Sequence, residues 1–143
     1  MSTTKEAQAF LEQVEMLDAQ TECKLIERQQ WRDLALSITS QMGGERVQSS
    51  GSQQKMADAL HRCWDMEEEI NLAVARLADQ KKVVTDVLEQ VDNPTWYKLL
   101  HQRYIQHKQL KTIAVNFNSS YDWARTTHGR ALKCVQNILD ARQ

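Results

Sequence analysis

The residues best suited to chemistry lie near the carboxyl end of the chain, on a helix that we predict to begin after Ser120. Residues three and four apart share one face of a helix. The small and apolar residues with that spacing are Ala124, Thr127, Ala131, Val135 and Ile138. The opposite face carries Tyr121, Asp122, Arg125 and Thr126. Their guanidinium, carboxylate and hydroxyl groups are suited to hydrogen bonds with base edges and phosphates.

Basic residues flank this exposed set. Lys111 lies at the start of the preceding short helix, and Arg130 and Lys133 lie farther along the last helix. All three are candidates for phosphate contacts, although such residues taken singly are more often surface charge. Ser120 can cap the last helix, because its hydroxyl can accept a hydrogen bond from a free N–H of the first turn. It completes the set of candidate DNA-binding residues.

Two aromatic residues open the last helix. Tyr121 and Trp123 are candidates for stacking on a sugar or contacting a thymine methyl group. Trp123 has a second interpretation, packing against Trp96 or Tyr104 in the core, and we do not count it among the residues that read bases.

No set of residues has the spacing of a catalytic or metal site. His101 and His107 are six residues apart with no Cys or acid to complete a site, so we expect them and His128 to be ordinary surface histidines. His128 is also a candidate for donating a hydrogen bond to a phosphate. The acidic run 67–69 fans around a helix and indicates a solvated face. Because nucleophile elbows, phosphate-binding glycine loops and convergent carboxylates are lacking, we expect no enzyme, cofactor or metal.

The three cysteines, Cys23, Cys63 and Cys134, are isolated and show no CxxC spacing. Isolated cysteines without CxxC spacing argue against a disulfide framework or a zinc knuckle. A reducing cytoplasm fits best. The first residues lack the apolar run of a signal peptide, and no stretch is apolar enough for a membrane span.

A short helix, a turn and a longer helix must position the candidate residues. Residues 110–117 are predicted to form the short helix, with Ile113 facing inward and Ala114 small enough to let the next helix approach. A turn follows at Asn118 and Ser119, where a left-handed backbone is commonly required and Asn tolerates it well. This is the spacing of a helix-turn-helix.

A third helix precedes this motif. Asn93 is predicted as its N-cap and Pro94 as its first residue, and the helix is expected to run to about Lys108. Its apolar face consists of Trp96, Leu99, Leu100, Tyr104 and Ile105.

The composition indicates an all-α protein. Only four Gly and one Pro occur in 143 residues, too few for the repeated turns of a β-sandwich or barrel. Residues 1–93 hold 10 Lys and Arg against 17 Asp and Glu, a net charge of −7, whereas residues 94–143 hold 8 against 2, a net charge of +6. Such asymmetry is typical when one end of a protein meets nucleic acid, although a solvated face explains the charge equally well.

Two long helices are predicted before the basic part, at about 4–42 and 53–91, with a flexible Gly- and Ser-rich loop at 43–52. Helices of matched length joined by a short loop pack as an antiparallel, coiled-coil-like hairpin. We therefore assign 1–92 to a helical hairpin, a candidate surface for homo-oligomers, and 93–143 to a helix-turn-helix DNA-binding domain.

The predicted seam between the two long helices follows from their apolar spacing. In the first helix Leu25 belongs to the apolar stripe, and Lys24 and Arg28 interrupt it, so its middle is either loosely packed or turned toward water. In the second helix every seventh residue is apolar: Met56, Cys63, Ile70, Leu77, Val84 and Val91. The companion positions are Leu60, Val74 and Leu88.

The stretch from Leu110 to Leu132 resembles region 4 of sigma-70-type factors, which recognises the promoter −35 element. It aligns without a gap over about 23 residues. The matching residues are Leu110, Ile113, Ala114, Phe117, Ser120, Ala124, Arg125, Arg130, Ala131 and Leu132. The long N-terminal hairpin and the run from His128 to Leu132 also resemble small phage proteins of the ArpU and RinA type. This resemblance implies a late-gene transcriptional regulator of phages of Gram-positive bacteria, acting in the cytoplasm of the bacterial host cell.

The chain departs from the sigma pattern at the turn and at the start of the last helix. The sigma turn usually has Gly and an aliphatic residue, whereas Asn118 and Ser119 stand here. Asp122 keeps the acidic role and can accept a hydrogen bond from a cytosine amino group. Tyr121 and Trp123 supply no phosphate-binding charge, so we expect a target that differs from the −35 consensus.

These observations favour a phage or prophage regulator that binds double-stranded DNA, with host RNA polymerase as a further partner and no membrane. One alternative is a DNA-packaging protein like a terminase small subunit, which would assemble into a large ring. A second alternative is an interaction module whose helix-turn-helix no longer binds DNA and docks on another protein.

Overall fold

The computed structural model describes residues 3–44 and 50–143, and throughout these ranges the regular structure is helical with no strand. The all-α prediction is therefore confirmed. The helices are α1 (Lys5–Gly44), α2 (Ser50–Leu88), α3 (Pro94–Leu100), α4 (Leu110–Asn116) and α5 (Tyr121–Ala141), with a π-helical turn (His101–Ile105) continuing from α3. None of the described helices combines the length and apolarity needed to cross a lipid bilayer.

The long helices lie close to their predicted ranges. α1 continues through Gly44 and α2 begins at Ser50, so both ends of the predicted loop 43–52 are helical. Residues 45–49 of that loop lie outside the described residues. A Gly in a helix costs only about 1 kcal/mol, which a long helix tolerates. At its other end α2 stops at Leu88, three residues before the predicted end.

The helix that begins at Pro94 is shorter than predicted. Asn93 caps it as expected, because its side-chain oxygen accepts hydrogen bonds from the backbone N–H groups of Thr95 and Trp96 at 2.9 and 3.2 Å. The helix widens into the π-helical turn, and His107 then takes a left-handed backbone with φ of 59°. An L-residue in that conformation ends a helix, so the chain leaves it before Lys108.

Contacts group the chain into two compact units that divide within the long helices rather than at residue 93. One unit comprises Asp18–Arg76, and the other comprises the residues up to Leu17 together with Leu77–Gln143. We call them the helix-pair unit and the C-terminal unit.

The helix-pair unit packs α1 against α2 along a seam that keeps Cys63 and Ile70 of the predicted heptad positions but takes different companion residues. The buried α2 residues are Ala59, Cys63, Met66 and Ile70, with alternating spacings of four and three. The predicted companion Val74 is 47% exposed, and Leu25 on α1 is 41% exposed, so both assignments are wrong. A step of one residue along a helix turns the side-chain direction by about 100° around the helix axis, which is enough to move a side chain off the seam.

Ion pairs occupy the middle of this seam. Lys24 Nζ lies 3.7 Å from a Glu69 carboxylate oxygen, and Arg28 lies 3.8 Å from Glu67. Arg62 pairs with both Glu27 and Glu69. The higher-numbered residues of α1 meet the lower-numbered part of α2, which gives an antiparallel register. These partly exposed pairs contribute little stability, but they satisfy the charges at the seam.

The core of the C-terminal unit draws on almost every helix. It consists of Ala7, Leu11 and Val14 from α1; Val84, Val87 and Leu88 from α2; Val91 after α2; Leu100 and Tyr104 around the π-helical turn; and Ala131, Leu132 and Val135 from α5. The first turns of α1 therefore bury the apolar side of α5.

A buried polar contact accompanies this packing. Gln136 is only 2% exposed. Its side-chain oxygen accepts a hydrogen bond from the backbone N–H of Ala7 at 2.9 Å, and its amide nitrogen donates to Glu6 at 3.3 Å and Asp140 at 3.0 Å. The N–H groups of a first helical turn have no partner within their own helix, so Gln136 satisfies one of them from α5.

Candidate nucleic-acid interface

The turn between α4 and α5 has the predicted backbone. Asn118 takes a left-handed conformation with φ of 52°, as expected. The backbone N–H of Ser119 donates to the Ala114 carbonyl at 2.9 Å, and the Ser119 hydroxyl donates to the Phe117 carbonyl at 3.0 Å. With Ala114 buried at 3% exposure, these bonds fix the direction in which α5 leaves the turn.

Ser120 caps α5 as predicted. Its backbone is extended, and its hydroxyl oxygen accepts a hydrogen bond from the backbone N–H of Trp123 at 3.0 Å. An N-cap of this kind stabilises the first turn of a helix by about 1 kcal/mol. Ser120 therefore holds in place the turn that carries Tyr121 and Asp122.

The two faces of α5 divide as the spacing predicts. Ala124 is fully buried and Thr127 is 6% exposed, which turns these residues toward the core. The side chains on the other face of the first two turns are all exposed: Tyr121, Asp122, Arg125 and Thr126. We call these four residues the α5 polar face.

Arg125 contacts its neighbours on the α5 polar face. Its guanidinium lies 3.9 Å from an Asp122 carboxylate oxygen and 5.9 Å from the centre of the Tyr121 ring. Because the Arg125 and Asp122 side chains are 63% and 91% exposed, water screens the pair and it contributes little stability. Both groups can therefore exchange these contacts for contacts with a ligand.

Lys111 lies next to the α5 polar face. It lines a shallow hollow of about 290 Å³ together with Tyr121, Arg103, Gln109 and Leu110. Sequence reasoning did not assign Arg103 or Gln109 to this place. The sequence pointed to Arg103 only as one of the basic residues after Pro94. Arg103 also lies 4.0 Å from Glu15, so part of its charge is neutralised within the protein.

Arg130 and Lys133 lie farther along α5. Both are exposed, and both line a separate groove together with Trp96. Five residues of a helix correspond to a rotation of about 140°, which separates Arg130 from Arg125 around the α5 axis. Arg130 and Lys133 stand four and seven residues after Thr126, the spacing of one helix face, so they extend from the Thr126 edge of the α5 polar face toward this groove and not toward Arg125.

Trp123 packs next to the turn and not in the interior of the unit. Its ring centre lies 5.3 Å from that of Phe117, at an angle of 48°. Both side chains are partly buried. The predicted alternative of packing on Trp96 or Tyr104 is not what the structure shows.

His128 is half-buried and bonded, contrary to the expectation of an ordinary surface histidine. Its Nε2 lies 2.6 Å from the Tyr104 hydroxyl oxygen, and the two rings stack with centres 5.7 Å apart. Burial lowers the pKa of His128, and the nearby Arg103 charge lowers the pKa further. A neutral imidazole that is bonded within the protein is poorly suited to a phosphate. His101 and His107 are half-buried as well.

No group of three or more His, Cys, Asp or Glu side chains within 3–44 and 50–143 is arranged to hold a metal ion. Cys23 is exposed, Cys63 is buried in the seam and Cys134 is half-buried, and all three are free thiols. The arrangement offers hydrogen-bonding and charged side chains on the exposed face of a helix.

Comparison of the chain with protein-family models, with curated proteins and with solved structures gives no match.

Proposed function

We propose that the chain is a DNA-binding transcriptional regulator of a phage or prophage, in which α4, the turn and α5 act as a helix-turn-helix. The observation that carries the proposal is the α5 polar face, which lies on the first two turns of a capped helix next to Lys111. A recognition helix contacts base edges through its N-terminal residues. The resemblance to sigma region 4 and to ArpU- and RinA-type proteins supports the same function.

Each residue of the proposed interface has a role that fits its chemistry. Arg125 contacts a guanine edge or a phosphate, and Asp122 accepts a hydrogen bond from a cytosine amino group. Tyr121 contacts a sugar or a thymine methyl group, and Thr126 hydrogen-bonds a base edge or a phosphate. Lys111 contacts a phosphate, and Ser120 holds the helix start in place.

Arg130 and Lys133 are proposed to contact phosphates farther along the duplex. The net charge of +6 on residues 94–143 supplies most of the affinity through counterion release. Binding should therefore weaken steeply as salt rises. The acidic helix pair is proposed to contact host RNA polymerase or a second copy of the chain, and the proposed outcome is activation of late genes.

The test is selection of bound duplexes from a random DNA library by the purified protein at physiological salt. We expect an enriched motif, and with Arg125→Ala we expect affinity for that motif to fall by about 1 to 3 kcal/mol, with relaxed preference at one position. Lys98→Ala is the matched control, because Lys98 is an exposed basic residue of the same unit away from the α5 polar face.

Three outcomes would overturn this proposal. Unchanged affinity and preference in Arg125→Ala would remove α5 as the reading helix. Salt-sensitive binding without an enriched motif, together with a large ring in light scattering, would indicate DNA packaging. Failure to bind any duplex would leave a module that docks on another protein.

A further inference from the structure

A groove of about 850 Å³ lies between α5, the start of α3 and the residues that follow α2. The apolar part of its lining consists of Trp96, Cys134, Ile138 and Ala141. Trp96, Cys134 and Ile138 also pack against the core, so this floor is a fixed part of the unit. An apolar concavity of this size can accept several side chains of a partner.

The rim of the groove is mainly cationic. Arg130, Lys133 and Arg142 line it, against the single carboxylate of Asp92. All four are exposed. The groove therefore combines an apolar floor with an excess of positive charge, and its best occupant combines apolar side chains with carboxylates.

We propose that this groove binds an acidic amphipathic peptide segment of another protein. The charge of the rim favours carboxylates on that segment, and the floor accepts its aliphatic or aromatic side chains. From Arg130 to Arg142 the rim follows α5 for about 18 Å, the length of roughly twelve helical residues. A segment of three helical turns therefore fits along it.

A phosphate backbone fits this groove less well than a peptide does. Phosphates gain nothing from the apolar surface of Trp96 and Ile138, which an apolar side chain would cover. The groove residues Arg130 and Ala141 are rotated by about 140° and 160° from Arg125 around α5, so a peptide here leaves Arg125 open. This inference goes beyond the proposed function, because it gives the groove a peptide partner. Arg130 and Lys133 line the groove, so they contact either the peptide or the phosphates proposed above, and not both at once.

The experiment is selection of peptides from a random 16-residue display library on the full-length protein without DNA. Binding of the selected peptides is then measured with two variants of the protein. Arg142→Glu reverses a rim charge, and Ala141→Asp places a carboxylate in the floor. Lys98→Glu is the matched control, because Lys98 is exposed and does not line the groove. Circular dichroism verifies that each variant remains folded.

We expect the selected peptides to combine net negative charge with apolar residues at helical spacing. Both groove variants should weaken their binding by about tenfold or more, and Lys98→Glu should leave it nearly unchanged. Bound peptide should also slow modification of the Cys134 thiol, while the exposed Cys23 reacts at its original rate.

Several results would overturn the proposal. The selection could recover no peptide whose binding depends on the groove, or the selected peptides could lack net negative charge. Bound peptide could also leave the rate of Cys134 modification unchanged. A concentration-dependent dimer that Arg142→Glu abolishes would instead make a second copy the occupant. Because the selection contains no DNA, its failure is distinguishable from failure of the proposed DNA recognition.

Discussion

Gln136, near the end of α5, accepts a hydrogen bond at 2.9 Å from the backbone N–H of Ala7, in the first turns of α1. The two residues are 129 positions apart in the chain. The bond joins the first helix of the protein to the helix that carries the candidate interface. It also shows that the C-terminal unit is completed by residues from the other end of the sequence.

We predict that Gln136→Leu destabilises the protein, because it leaves the Ala7 N–H without its partner while keeping a side chain of similar size. The expected loss in the free energy of unfolding is about 1 to 3 kcal/mol. Urea denaturation measures it. Gln29→Leu is the control, since Gln29 is exposed and donates its side-chain hydrogen bond to Asp33 on its own helix. Equal effects of the two substitutions would contradict the prediction.

We predict that residues 93–143 do not fold cooperatively as a separate fragment. Their apolar surface is covered in the full chain by Leu11, Val14, Val84, Val87 and neighbouring residues. Without these side chains, the fragment exposes the core face of α5. Thermal unfolding followed by circular dichroism should show a sharp transition for the full chain and a broad, low-amplitude one for the fragment. A sharp transition at a similar temperature in both would refute this.

Stability should fall as the pH drops below about 6.5, the ordinary pKa of a histidine, in part through His128. Burial and Arg103 lower the pKa of His128 in the folded protein, so the unfolded chain binds the proton more readily. Unfolding is then favoured as the pH falls from 6.5 toward the lower folded pKa, whereas stability above that range is unaffected.

The measurement is the free energy of unfolding from pH 8 to pH 5 for the protein and for His128→Gln. The variant should show a weaker dependence on pH in this range. All other titratable groups are present in both proteins, so the difference between the two profiles isolates His128. Parallel pH profiles would exclude this role for the imidazole.

The position of the seam in the helix-pair unit can be tested with two alanine substitutions. Ile70 is 4% exposed, so Ile70→Ala should lower the free energy of unfolding by about 2 to 5 kcal/mol. Val74 is 47% exposed, and Val74→Ala should change it by no more than about 0.5 kcal/mol. A larger loss of stability from Val74→Ala would instead support the seam expected from the heptad spacing, in which Val74 is buried.

The local features of the candidate interface could be predicted from sequence because they depend on residues close together in the chain. Ser120 bonds to Trp123, and Asn93 bonds to Thr95 and Trp96, over at most three residues. The left-handed backbone of Asn118 follows from the tolerance of its side chain for that conformation. Helix type and approximate length followed from apolar spacing and from the scarcity of Pro and Gly.

The seam was harder to predict, because a coiled-coil spacing fixes a stripe only to within about one residue. Met66 takes a seam position, while Val74 turns toward solvent. Apolar residues are numerous on α2, so several stripes satisfy the same spacing. Packing against α1 decides between them.

Sequence by itself determined that the chain is helical, where its helices begin, and which side of α5 is polar, because these properties arise from bonds and periodicity within a few residues. Only the tertiary structure decided what that helix packs on. The Gln136–Ala7 bond and the burial of His128 against Tyr104 depend on how distant helices meet. Contacts between distant residues leave no periodic signal in a single sequence, since each side chain is compatible with many partners until packing selects one.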